Sequence, residues 1–206
     1  LQIGRAGQSG GSNDTANLGR PAGIRVDGDA NEVYVADGYG NRRVIVFDAQ
    51  TGEYKRHWGA YGERPDDSPL AAYDPNATPS QHYRSPVHDV AIANDGLVYV
   101  CDRGGDRVQI FQKDGTYVSE HQYARETLSQ GSTWDIDFSH DEDQRWIYLA
   151  DGQNMKVYII ERETMEVVTA FGDGGRQPGM FFAVHSIAVD SSGNIYTTET
   201  YEGSRL

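Results

Sequence analysis

Apolar and polar residues alternate in short runs along most of the chain, and the runs come in pairs. Val33 and Val35, then Val44 and Val46, keep the period of a pleated strand. Gly38, Gly40 and Asn41 stand between them, residue types that tolerate positive φ. The stretch reads as strand, tight turn, strand, with Asp37 closing the first strand and Arg43 opening the second. The same unit recurs as 98–102 into 107–111, as 147–151 into 156–160, and as 195–199 into 205–206.

An upstream strand precedes each hairpin: 23–27, 89–93, 135–139 and 186–190. A further strand follows the first three hairpins, at 53–58, 116–121 and 166–171. Four antiparallel strands repeated at a spacing of tens of residues are the signature of a propeller blade. The pattern therefore predicts an all-β chain, a β-propeller with about four four-stranded antiparallel blades, forming one domain over 1–206. The blades fall at about 20–59, 85–122, 132–172 and 183–206. Residues 59–84 form an insertion with four prolines, Pro65, Pro69, Pro75 and Pro79, and are expected to make an ordered but irregular loop over one face. Residues 1–4 read as an outermost strand, and 205–206 as the start of a third strand in the last blade. Either the N-terminal strand completes the last blade and closes a four-bladed ring, or the chain is a piece of a larger propeller, and the second is the expectation. No convincing helix is predicted beyond a turn or two in 123–129.

Charge and cysteine content narrow the partners. The net charge is −13, and an acidic surface repels phosphate backbones and anionic lipid. Neither nucleic acid nor membrane is expected as a partner. The single cysteine, Cys101, lies within a predicted strand and reads as a small buried apolar side chain. There is no signal-peptide pattern and no apolar run near 18 residues in length.

The acid–base pairs come first among candidate chemical groups. Asp37 with Arg43, Asp102 with Arg107, Asp151 with Lys156 and Glu199 with Arg205 recur in every unit, which marks scaffold: cross-strand ion pairs or turn caps. Departures from the repeat point to function. The residue before each inner strand is Ala22, His88, Trp134 and His185 in turn. Inner strands line a propeller's channel and start at one mouth, so His88 and His185 are expected to approach one another. Neutral imidazole ligates zinc, copper or iron. Two ligands are fewer than the three protein ligands of a catalytic zinc, and ordinary channel-lining histidines remain the other reading. Tyr39 and Arg103 stand beside their acids where the third blade has Gly152 and Gln153. A tyrosine beside a metal or cation serves as a general base, and arginine holds a carboxylate. The alternative is a hairpin-tip phenol and a solvated guanidinium. His57, His82, His121 and His140 follow no repeat logic. Asn13-Asp14-Thr15 and Asn76-Ala77-Thr78 fit the glycosylation acceptor pattern. No phosphate-cradling loop, nucleophile elbow or paired-cysteine metal motif is present.

The run Pro21-x-Gly23-Ile24-x-Val26-Asp27, followed by Glu32 to Val44 (EVYVADGYGNRRV), resembles an NHL-repeat blade. Within NHL propellers the order of motifs is most similar to the peptidyl-α-hydroxyglycine α-amidating lyase family and bacterial secreted proteins related to it. That resemblance implies a six-bladed propeller, a zinc held by three histidines on separate blades, a structural calcium, and a catalytic tyrosine with arginines. The family's Asp-Gly-Tyr-x-Asn-x-Arg segment matches Asp37 to Arg43 and puts Tyr39 at the catalytic tyrosine. Cys101-Asp102-Arg103 puts Arg103 at a substrate-binding arginine, and the two later zinc histidines fall on His88 and His185. The third zinc ligand would lie on a blade not contained in this chain. Ala183-Val184-His185-Ser186 stands where the family has Met-Pro-His-Asp, without the active-site methionine and a calcium-ligating aspartate. The family's disulfide cysteines are absent, with Gly40 at one position.

Two functions follow. In the first, the protein is a secreted or periplasmic zinc-dependent lyase acting on a peptidyl-α-hydroxyglycine-like substrate, with Tyr39 and Arg103 catalytic and His88 and His185 on the metal. In the second, it is a non-catalytic propeller that binds a protein, peptide or sugar on the face bearing the 59–84 loop. Either way a small-molecule or peptide ligand is expected at the channel mouth. Open blade edges are expected to favour self-association.

Overall fold

Strands β1 (Gly23–Asp27), β2 (Glu32–Asp37), β3 (Arg43–Asp48) and β4 (Tyr54–Trp58) pair in chain order into one antiparallel sheet. The computed structural model describes residues 1–201 and 203–205. The next two blades repeat the first: β5 (Val87–Ile92), β6 (Val98–Asp102), β7 (Arg107–Phe111) and β8 (Tyr117–Gln122), then β9 (Asp135–Phe138), β10 (Trp146–Asp151), β11 (Lys156–Glu161) and β12 (Glu166–Phe171). The fourth sheet has two strands, β13 (Val184–Val189) and β14 (Ile195–Glu199). The chain is thus all-β, with its sheets arranged as the blades of a β-propeller. Its only helical pieces among the described residues are short 3-10 turns at Ala60–Gly62 and Arg103–Gly105.

The middle strands are buried on both faces because each blade lies between neighbours. Val44, Val46 and Trp58 of the first blade pack on Val87, Val98, Val100 and Phe111 of the second. Tyr99, Cys101 and Ile110 pack on Ile136, Ile147 and Leu149 of the third. Ala150 and Val157 pack on Val184 and Ile187 of the fourth. Burial on two faces explains the continuous Val, Ile and Tyr runs where a half-exposed strand would alternate.

Neighbouring inner strands are not hydrogen-bonded as a sheet, so their backbone groups need other partners. Carboxylates supply them. Asp135 accepts the Ile187 N–H at 2.9 Å and Asp137 the Val189 N–H at 2.7 Å. Asp89 accepts the Ile136 N–H at 3.4 Å.

The acid–base pairs form in three blades of four. Asp37 opposes Arg43 in register and bonds it at 2.9 Å, with both side chains fully buried. Asp102 bonds Arg107 at 2.7 Å and Glu199 bonds Arg205 at 2.6 Å. The expected Asp151–Lys156 pair does not form: Asp151 is capped by Asn154, and Lys156 turns to Asp173 at 3.9 Å. Asn154 sits inside the turn, close enough to satisfy the acid first.

Two end assignments are corrected. Residues 1–4 are not a strand. Ile3 and Leu18 instead lie on Val33, Val35, Ile45 and Phe47, covering the outer face of the first blade. Positive φ at Gly4 and Gly7 turns the segment away from an extended path. In the fourth blade Arg205 is not in a strand, although its carbonyl accepts the Glu199 N–H at 2.8 Å, and Leu206 lies outside the described residues.

The 59–84 insertion is irregular after its opening turn, and side chains hold its carbonyls. Arg42 donates to Ser68 O at 2.7 Å, Arg84 to Ala71 O at 2.9 Å, and Arg125 to Ala77 O at 2.5 Å. Arg107 takes Ser80 O and His82 O at 2.9 and 3.0 Å. Backbone groups that a strand would pair are satisfied this way.

Candidate active site at the channel mouth

Two inner strands carry a defect at the mouth that the other two lack. In β5, Val87 pairs with Asp102 and Asp89 with Cys101, which leaves His88 as an extra residue between them. In β13, Val184 pairs with Glu199 and Ser186 with Thr198, which leaves His185 extra in the same way. The registers of β1 and β9 against their neighbours run unbroken. A bulge breaks the alternation of faces and re-aims the bulged side chain. Both imidazoles therefore leave the blade cores, and their ring centroids meet 4.8 Å apart, edge to face.

The residue just before the third inner strand packs against both rings. Trp134 is buried, with its ring 5.8 Å from His88 and 5.6 Å from His185. Its carbonyl lies 2.6 Å from His88 Nδ1. A carbonyl only accepts, so Nδ1 carries the hydrogen and Nε2 keeps the lone pair. The Tyr39 hydroxyl, 3.0 Å from Nε2, donates to it. Arg103 Nη1 in turn donates to the Tyr39 oxygen at 3.3 Å.

Arg103 is held from three sides. Its Nε donates to Gln130 O at 2.8 Å and its Nη2 to Gln130 Oε1. Its guanidinium lies over the Trp134 ring at 4.2 Å. The residue is only 4% exposed and has no carboxylate partner among the described residues. A buried cation left unpaired is costly and calls for an anion.

The electrostatics follow from burial. His88 is pushed down to about 3 by desolvation and by the nearby Arg103 charge, so it stays neutral at ordinary pH. Burial and Arg103 lower His185 in the same direction. Asp135, further along the inner strands, is pushed well above the usual carboxylate range by burial and by Asp89 beside it. The mouth thus offers a fixed cation, neutral imidazoles and one phenol. Tyr39 is 40% exposed, the most open member of the group. A hydroxyl that accepts from a cation and donates to a neutral base is placed to give or take a proton.

All four side chains singled out in the sequence, Tyr39, His88, Arg103 and His185, therefore come together. As metal ligands, the two imidazoles supply nitrogen donors, and the His88 Nδ1–H on a backbone carbonyl is the support a ligating imidazole has. They are two donors only: no group of three or more His, Cys, Asp or Glu side chains is placed to hold a metal among the described residues. The Ser186 hydroxyl lies 3.0 Å from His185 Nδ1. Sequence reasoning missed Trp134 and Gln130. Trp134 stood in the same column as the histidines, and only its lack of a titratable group hid it. Gln130 lies in an irregular link that has no repeat position.

Residues 18–47 and 87–111 match the NHL repeat family. The match covers two segments of the chain, one in each of its first two blades. The matched segments end on β3 and β7, and the third blade, where Asn154 replaces the ion pair, lies outside them. Among solved structures, the chain is similar to the hydrazine synthase of Kuenenia stuttgartiensis, with a TM-score of 0.61 and 15% identity over 97% of this chain and 46% of that one. It is also similar to a streptogramin B lyase, with a TM-score of 0.60 and 14% identity over 88% and 49% of the two chains. A catalytically inactive virginiamycin B lyase from Staphylococcus aureus, solved with quinupristin, gives a TM-score of 0.55 at 14% identity over 87% and 48%. The chain thus spans about half the length of these structures, and at such identities the likeness is one of fold.

No helix among the described residues is long and apolar enough to cross a membrane.

Proposed function

We propose that this NHL propeller segment carries part of the active site of a lyase that cleaves a peptidyl-α-hydroxyglycine-like substrate. The supporting observation is the hydrogen-bonded chain from Arg103 to Tyr39 to His88 at the channel mouth, with His185 alongside. These four residues stand at the positions where the chain resembles the amidating lyases. A propeller of the same fold bears the name of a lyase, which fits the reading without specifying the substrate.

In this reading Arg103 binds the substrate carboxylate, because it is a fixed and unpaired cation. Tyr39 takes the proton of the substrate hydroxyl as the carbon–oxygen double bond forms and gives its own to the leaving amide nitrogen. The bond between that carbon and the amide nitrogen breaks, and the nitrogen takes a proton as it leaves. The products are a primary amide and a glyoxylate, with atoms and charge in balance. His88 and His185 would hold a zinc ion, together with a third ligand that the described residues do not supply. Bound zinc would act as a Lewis acid toward the substrate hydroxyl. His88 has one free lone pair, on Nε2, and either Tyr39 or a metal takes it.

The test uses the full-length protein. Tyr39→Phe should abolish glyoxylate release from a hydroxyglycine peptide while leaving zinc content unchanged, and His88→Ala should lose near-stoichiometric zinc. A folded, metal-free protein that releases no glyoxylate would leave a binding propeller as the reading. The cavities beside the 59–84 insertion favour that second reading.

A further inference from the structure

The 59–84 insertion builds a second wall beside the mouth. Between it and the hairpin tips lies a cavity of about 320 Å³ lined by Leu70, Ala71, Tyr73, Arg84, Gly104 and Ser129. Its far wall opens toward a larger cavity of about 560 Å³ that shares Leu70, Ala71, Tyr73 and Arg84. Its near wall belongs to the site already described. Gly104 follows Arg103, Ser129 precedes Gln130, and the Ser85 hydroxyl donates to Gly38 O at 2.8 Å, next to Tyr39.

Two charged groups line this cavity, Arg42, whose Nη1 donates to the carbonyls of Asp66 and Ser68, and Arg84. The Arg84 guanidinium lies over the Tyr73 ring at 5.3 Å and uses one nitrogen on Ala71 O. It makes no salt bridge among the described residues. Asp102 accepts the Arg84 backbone N–H, but its charge is committed to Arg107. Arg20 also stands at the rim without a carboxylate partner among the described residues, donating to Tyr39 O at 3.3 Å. Acids outnumber Lys and Arg by 31 to 18 in this chain. Arginines left without acids at one mouth are therefore a local reversal of the overall charge.

We propose that the ligand reaching Tyr39 is a peptide with an acidic residue beside its reacting end, and that this residue seats its carboxylate on Arg84 in the insertion cavity. The apolar wall of Leu70 and Ala71 takes the methylene stem, and Tyr73 fixes the guanidinium plane. One residue of extended chain spans about 3.5 Å, which suits a cavity that begins at Gly104, the neighbour of Arg103. The inference rests on the mouth being the reactive site, but its test does not require turnover.

Glycine-ended peptides that cannot react, with Glu, Gln or Lys at the preceding position, are titrated into the full-length protein by calorimetry. The hydroxyglycine forms are assayed in parallel for glyoxylate. Wild type should bind the Glu peptide about five- to tenfold more tightly than the Gln peptide and reject the Lys peptide. Arg84→Gln should bring the Glu-to-Gln ratio to about one, and Arg84→Lys should keep part of it; circular dichroism checks that both fold. Equal binding of Glu and Gln peptides to wild type would overturn the inference, as would a preference that survives Arg84→Gln. A preference without glyoxylate release would sink the lyase reading and leave this subsite standing.

Discussion

His88 and His185 are 97 positions apart in the chain, yet their ring centroids lie 4.8 Å apart at the mouth of the propeller. Each is the extra residue of a bulge in an inner strand, and one whole blade separates the two in sequence. The convergence is therefore a property of blade geometry and of two local defects acting together. A regular register at either position would direct the ring by the ordinary alternation of the strand.

The tautomer of His88 is a direct consequence of this geometry. With Nδ1 on the Trp134 carbonyl and Nε2 accepting from Tyr39, metal-free protein should show the Nδ1–H form in nitrogen-15 spectra. Tyr39→Phe should leave that tautomer in place while shifting the Nε2 resonance toward that of an unbonded nitrogen. An Nε2–H signal in wild type would contradict the arrangement.

Trp134 packs against both imidazoles and carries Arg103 on its face, so it should matter to both stability and site. Trp134→Ala should cost about 3–5 kcal/mol, the usual range for a buried aromatic truncation. Trp134→Phe keeps a ring but loses the indole bond to Gly131 O, now 2.7 Å, and should cost less. Denaturant midpoints of the three proteins check the order, and equal midpoints would refute it.

Much of the fold is legible in the sequence because blades bury both faces. The Val-Tyr-Val-type runs, the acid before each turn and the base after it recur at positions that the sheets place in register, as with Asp37 opposite Arg43. The four candidate side chains were legible for the same reason: they occupy repeat positions whose residue type changes. The bulges at His88 and His185 left no trace in the pattern, since an extra residue does not alter composition. Leu1 to Gly4 looked like a strand because alternation alone cannot tell an edge strand from a segment lying on a sheet face. Asp151 and Lys156 looked like an ion pair because the competing amide, Asn154, is invisible to a register argument.

That difference between blades gives a stability test. Arg43 is fully buried and bonds Asp37 and the carbonyls of Ser12 and Asn17. Removing it leaves an uncompensated buried carboxylate, so Arg43→Ala should cost about 3–5 kcal/mol. Lys156 is partly exposed and 3.9 Å from its acid, so Lys156→Ala should cost under about 1 kcal/mol. Thermal unfolding distinguishes the two, and a large loss for Lys156→Ala would mean that the repeat position matters independently of contact.

Asp106 provides the pH test. It is fully buried in the left-handed region at φ 52°, accepts the Ser132 N–H at 2.7 Å through Oδ1, and has no partner for Oδ2. Burial raises its carboxyl from 3.8 to about 7. The folded state therefore holds this proton more tightly than the unfolded chain does. Stability is greatest below about 4 as far as this group is concerned, falls as pH rises from about 4 to about 7, and stays lower above. Asparagine tolerates the left-handed region, so Asp106→Asn should fold. At pH 8 the variant should be more stable than wild type by up to about 4 kcal/mol, shrinking toward zero near pH 4. Melting curves of both proteins across that range measure it, and a gap that does not widen with pH would show that Asp106 is charged in the fold throughout.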